Sequence, residues 1–150
     1  MNTPGEVSGR GVYLVDTNVF LRFLTNDVPE EADAAEALFR AAEAGRITLY
    51  ANPLVIAEIV WVLESFYRLE RAQVTEAALA VATMPGLVLP GQDTVLLALK
   101  WYEERGVDYV DAYNAAWCID RELDGLITLD RRHFARLDAV AARSPREVVG

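Results

Sequence analysis

Several residue types are scarce in this chain of 150 residues, and each scarcity excludes a chemistry. The single cysteine, Cys118, leaves no internal disulfide to form and no thiolate cage for zinc; it fits a reducing cytoplasm. The single histidine, His133, excludes a His-rich zinc site. The only lysine, Lys100, stands in no glycine-rich phosphate loop. Three serines (Ser8, Ser65 and Ser144) are present, none in a nucleophile-elbow pattern, which argues against a serine hydrolase. Gly9-x-Gly11 precedes the first apolar strand instead of following it, so it is not a dinucleotide fingerprint. No apolar run approaches the roughly 20 residues a membrane helix needs. The opening MNTPGEVSGRG has no apolar signal-peptide core and reads as a flexible tail over residues 1–11. Positive charge is also short: 14 basic residues face 23 acidic ones, for a net charge of −9. Such a chain is a poor generic binder of nucleic acid, because phosphates are repelled. Either the acidic surface is simply solvated, or some carboxylates are gathered in one place and neutralised by a cation.

What is present is a well-supplied core. Hydrophobic residues make up 53% of the chain and mean hydropathy is +0.13, which suits one folded domain over residues 12–150. Val12–Val15 reads as a buried strand, and 17–25 as a helix with Val19, Phe20, Phe23 and Leu24 on its apolar face. Pro29 opens a second helix that Gly45 ends. Residues 47–51 read as a strand, and Asn52-Pro53 starts a helix to about Tyr67. Further helices are expected over 70–83, from an Asp93 cap to Arg105, and from an Asp108 cap to about Leu123. Short strands are expected at 87–89 and 126–129, a short helix around 132–137, and an edge strand near 139–142. Short strands alternating with helices argue for an α/β fold with a parallel sheet, whose ligands bind beyond the carboxyl ends of the strands.

Acidic residues recur at those ends. Asp16 follows the first strand, and in GLITLDRRHF Asp130 follows another in the same way. Each has an ordinary use as a helix N-cap, but two strands delivering a carboxylate to one rim is a pattern that capping alone does not require. Thr128, two residues before Asp130, points to the same side of its strand and either supports the site or is simply a β-branched strand residue. Glu58 interrupts the apolar run PLVIAEIVWVL; buried and unpaired there, its ionised form would cost several kcal/mol. The alternative is a narrow solvent-facing stripe. In GVDYVDAYNAAWC, Asp108 reads as an N-cap, and Asp111 lies in the first turn, where the helix dipole favours an anion.

Clustered oxygen ligands without thiolate or imidazole suit hard cations such as Mg²⁺ or Mn²⁺, which polarise phosphoryl oxygens and supply hydroxide near neutral pH. Without a cation, gathered carboxylates would repel one another and any phosphodiester. Asp16-Thr17-Asn18 lacks the second aspartate of an aspartate-nucleophile phosphatase.

VDTN at 15–18, AE at 57–58, YVDA at 109–112 and TLD at 128–130 resemble, in order and spacing, the motifs of PIN-domain ribonucleases. More closely they resemble the VapC toxins of type II toxin–antitoxin systems. That resemblance implies a three-layer α/β/α sandwich around a central parallel sheet. It implies Mg²⁺- or Mn²⁺-dependent hydrolysis of RNA to 5′-phosphate and 3′-hydroxyl products. The matching acidic positions are Asp16, Glu58, Asp111 and Asp130, as metal ligands and catalytic residues, with Asn18 and Thr128 as polar supports. It also implies a VapB-like antitoxin that places a basic side chain in the acidic pocket, and a homodimer. The third helix carries more apolar surface (Val60, Trp61, Leu63, Phe66, Tyr67) than one core-facing stripe requires. Arg131, Arg132 and Arg136 either touch RNA phosphate or line a solvated face, and His133 is expected to be structural or exposed. The alternatives are a PIN nuclease of RNA processing or DNA-structure cleavage, a non-catalytic module gripping a basic peptide, and a small-molecule phosphatase.

Overall fold

The computed structural model describes residues 11–150; apart from Gly11, the expected tail lies outside the described residues. The chain alternates short strands with helices as its periodicity predicts. Strand β1 (Val12–Leu14) leads into α1 (Thr17–Thr25) and α2 (Pro29–Glu43), and β2 (Thr48–Tyr50) into α3 (Pro53–Ser65) and α4 (Arg71–Ala82). Then β3 (Leu87–Val88) leads into α5 (Gln92–Arg105) and α6 (Tyr109–Asp120). A carboxyl-terminal segment follows: β4 (Leu126–Ile127), a 3-10 helix (Arg131–Phe134), β5 (Ala142–Arg143) and α7 (Pro145–Val149). All pairings are parallel, with Tyr13 opposite Leu49 and Leu49 opposite Leu87.

Local chemistry sets most boundaries. Asn52 Oδ1 accepts from Val55 N at 3.1 Å and Pro53 sits at the first helical position, so α3 starts where the sequence predicts. Ala44 and Gly45 (φ 78°) close α2. The core is a continuous apolar cluster whose largest wholly buried side chains include Tyr102, Phe20, Leu49, Ile56, Ile59, Leu63 and Leu99. Ala112, Ala115 and Ala116 of α6 are wholly buried, and their small side chains let α6 lie close against α5.

Several expectations need correction. The expected α/β fold with a parallel sheet is present as β1-β2-β3, but β4 and β5 pair in a separate two-stranded sheet. Strand β1 is not buried: Val12 and Leu14 are both 63% exposed, and only Val15 just beyond it enters the core. Helix α5 is capped by Gly91, whose φ of 77° turns the chain, and Asp93 lies in its first turn. Helix α6 ends at Asp120, because Arg121 and the left-handed Glu122 (φ 54°) turn the chain before Gly125. Strand β4 stops at Ile127, because Thr128 Oγ1 accepts from Asp130 N at 3.1 Å and bends the backbone away from extension. The helix expected over 132–137 is the 3-10 turn at Arg131–Phe134, and the last strand is at Ala142–Arg143, not 139–142.

Candidate active site

Asp16 stands at the carboxyl end of β1 and caps α1, its Oδ1 accepting from Thr17 N at 2.8 Å. Glu58 comes from α3. Leu54, Glu58 and Trp61 recur at i, i+4 and i+7 and form an exposed stripe, while Ile56, Ile59, Val60 and Leu63 face the core. Glu58 is therefore solvated, and the desolvation penalty that made it anomalous in the sequence does not arise. It shares with Asp16 a small hollow of about 250 Å³, also lined by Leu14, Asn52 and Leu54.

The second pair lies at the other sheet. Asp108 Oδ2 accepts from Val110 N at 3.2 Å and caps α6, which carries Asp111 in its first turn. Asp130 follows β4, and its Oδ1 accepts from Arg132 N at 3.1 Å and from Arg132 Nε at 3.3 Å. His133 lies between the two carboxylates: Nε2 is 3.3 Å from Asp130 Oδ2, and Nδ1 is 3.8 Å from Asp111 Oδ2. Sequence reading set His133 aside. Its only signal was its place three residues after Asp130, which a 3-10 turn converts into proximity.

The two carboxyls are driven apart in acidity. Burial pushes Asp111 above the usual carboxylate range, and the charges of Asp108 and Asp130 add to the effect against the opposing pull of His133. The Arg132 hydrogen bond holds Asp130 below that range, with help from the Arg132 backbone and His133. Neighbouring carboxyls of unequal acidity suit unequal roles: Asp111 is the better proton acceptor, and Asp130 keeps its charge to lower pH.

Asp111 and His133 form the wall between two hollows. One, of about 520 Å³, is lined by Val107, Asp108, Arg132 and Arg136. The other, of about 460 Å³, lies between α6 and β4 and is lined by Asn114, Trp117, Leu126, Ile127 and Thr128. Thr128 supports Asp130 through the turn described above. Asn18 lies elsewhere, in a hollow between α1 and α2 with Arg22 and Glu31, away from the hollow that Asp16 lines.

The structure thus brings Asp16 to Glu58 and Asp111 to Asp130, but it does not unite the pairs. Among the described residues, no three His, Cys, Asp or Glu side chains converge as a metal-ligand set. The donor chemistry suits a hard divalent cation, but this arrangement of the carboxylates does not form a cage for one. What it offers directly is two anionic hollows, one of them bordered by arginine.

The PIN domain family model matches residues 13–140, from β1 to the residues just before β5. The chain belongs to the PIN domain family. No curated protein matches it. PIN domains are generally metal-dependent nucleases. Among the described residues of this PIN domain, no helix is long and apolar enough to cross a membrane.

Proposed function

We propose that this PIN domain is an endoribonuclease dependent on Mg²⁺ or Mn²⁺, acting in the cytoplasm as the VapC-like toxin of a toxin–antitoxin pair. Its working residues are Asp16, Glu58, Asp111 and Asp130, with Thr128 and Asn18 as polar supports. The observation that carries the reading is the Asp111–His133–Asp130 group at the border of an arginine-lined hollow, within a chain of nuclease family. An acidic chain needs local positive charge to approach a phosphodiester, and Arg132 and Arg136 supply it beside the carboxylates. There Asp111 takes the proton of an attacking water and Asp130 keeps its charge. The exposed Leu54 and Trp61 of α3 and Phe66 just beyond it support a protein contact, with an antitoxin or a second toxin subunit.

The test is cleavage of total cellular RNA with Mg²⁺ or Mn²⁺ against a chelator, with cleavage sites mapped. Asp16→Asn should lower the rate on the order of 100-fold or more with its thermal unfolding little changed. Full metal-dependent cleavage by Asp16→Asn would remove that residue from the site. Absence of metal-dependent cutting of any RNA would leave the acidic hollows as a grip for a basic peptide.

A further inference from the structure

The hollow between α6 and β4 meets the arginine-lined one at Asp111 and His133, but the rest of its lining is mostly apolar. Its walls are the Trp117 ring and the apolar side chains of Leu123, Leu126 and Ile127. Asn114, one turn beyond Asp111 on α6, is exposed, and its amide makes no hydrogen bond among the described residues. The Arg121 guanidinium lies over the Trp117 ring at 4.0 Å, which braces the indole in place. Thr128 Oγ1 already accepts from Asp130 N at 3.1 Å.

We propose that this hollow is a nucleobase subsite, in which a base lies against Trp117 and the Asn114 amide reads its edge. An amide presents a donor and an acceptor side by side, the complement of a base edge that carries both. A flat aromatic wall supplies stacking to any base. At about 460 Å³ the hollow falls within the ordinary range for small-molecule sites. Its chemistry also suits the charge of the molecule: a neutral base is not repelled by a chain of net charge −9, whereas a phosphate is. The hollow shares Asp111 and His133 with the arginine-lined one, so a nucleotide placed here has its base on one side of Asp111 and its phosphate beside Arg132 and Arg136. The subsite rests on the ribonuclease reading for its purpose, not for its existence: it would select which base stands next to the cleaved bond.

The test uses neutral nucleosides, so that carboxylate repulsion does not enter. The indole N–H signal of Trp117 is identified as the one lost in Trp117→Phe, and adenosine, guanosine, cytidine, uridine and free ribose are titrated against the full chain. The expected result is a saturable shift of that signal by at least one nucleoside and none by ribose, with the Trp61 and Trp101 signals unmoved. Asn114→Ala should weaken the preferred nucleoside roughly tenfold or level the ranking, and Trp117→Ala should weaken all of them roughly five- to hundredfold. A shift equal for ribose and nucleosides, no shift at all, or an unchanged ranking in a folded Asn114→Ala protein would overturn the subsite. Mapping RNA cleavage separates the two readings. Cleavage whose base preference ignores Asn114 and Trp117 refutes the subsite and leaves the nuclease intact; nucleoside binding without any RNA cleavage does the reverse.

Discussion

Tyr102 and Tyr109 pack edge to face, 6.2 Å between centroids, at 1% and 3% exposure, yet their hydroxyls have opposite fates. Tyr102 donates its hydroxyl hydrogen to the Glu64 carboxylate, whereas the Tyr109 hydroxyl is buried with no partner among the described residues. Burial pushes both phenols above their ordinary acidity range. A buried hydroxyl without a partner costs about 1–3 kcal/mol, and deleting it forfeits only the dispersion contacts of one oxygen, a few tenths of a kcal/mol. Tyr109→Phe should therefore stabilise the fold by about 1–2 kcal/mol. Tyr102→Phe removes a hydrogen bond to a charged acceptor and should destabilise it by about 1.5–3 kcal/mol. For a domain of this size each kcal/mol moves Tm by roughly 2–4 °C, so the two variants should fall on opposite sides of the parent, several degrees apart. Thermal and urea unfolding of the three proteins, with an unchanged urea m-value, makes the measurement. If Tyr109→Phe lost 1 kcal/mol or more, its hydroxyl would have a partner, and the account of the packing between α5 and α6 would be wrong.

Arg71 Nη1 donates to the carbonyls of Tyr102 at 2.8 Å and Val107 at 2.7 Å, and its guanidinium lies 4.2 Å above the Tyr102 ring. Arg71→Met should cost about 2–4 kcal/mol in urea unfolding and, by freeing the turn that leads to Asp108 and Asp111, also lower RNA cleavage. Gly86 has φ 83°, and a Cβ there would stand 2.5 Å from the Ala42 backbone; Gly86→Ala should lose several degrees of Tm or fail to fold. Because burial in the folded state raises the pKa of Asp111, ionising it weakens the fold as pH rises past the ordinary carboxylate value. Asp111→Asn should accordingly raise Tm at neutral pH while abolishing cleavage, and its advantage should vanish below about pH 4 in a pH series of melts. Asp130 has the opposite sign: its hydrogen bonds to Arg132 stabilise the fold above the ordinary carboxylate value and are lost as pH falls through its lowered one. Arg132→Ala should weaken that acid dependence in the same series.

The helix starts were legible wherever a cap is a local matter. Asp16, Asn52 and Asp108 each accept from a backbone N–H within three residues, and that proximity is written into the chain order. The start of α5 was not legible from its first acidic residue, since Gly91 two positions earlier already supplied the turn. Glu58 shows the limit of apolar runs as a guide. Helix α3 is so rich in hydrophobic residues that its exposed stripe, Leu54 and Trp61 included, looks in sequence like its buried face. Which side meets water depends on what packs against it: α1, α4, α5 and α6 all contact α3, and the stripe is the face they leave open.

The sequence by itself determined the order of elements from β1 to β4, the caps at Asp16, Asn52 and Asp108, the family and the placing of acids at strand and helix ends, because these follow from short stretches of chain. Only tertiary structure decided that the strands form two sheets, that His133 stands between Asp111 and Asp130, and that Asp16 pairs with Glu58 in a hollow of its own. Asp111 and His133 are 22 positions apart and Asp16 and Glu58 are 42, and their meeting is set by how the elements that carry them pack, which no local spacing encodes.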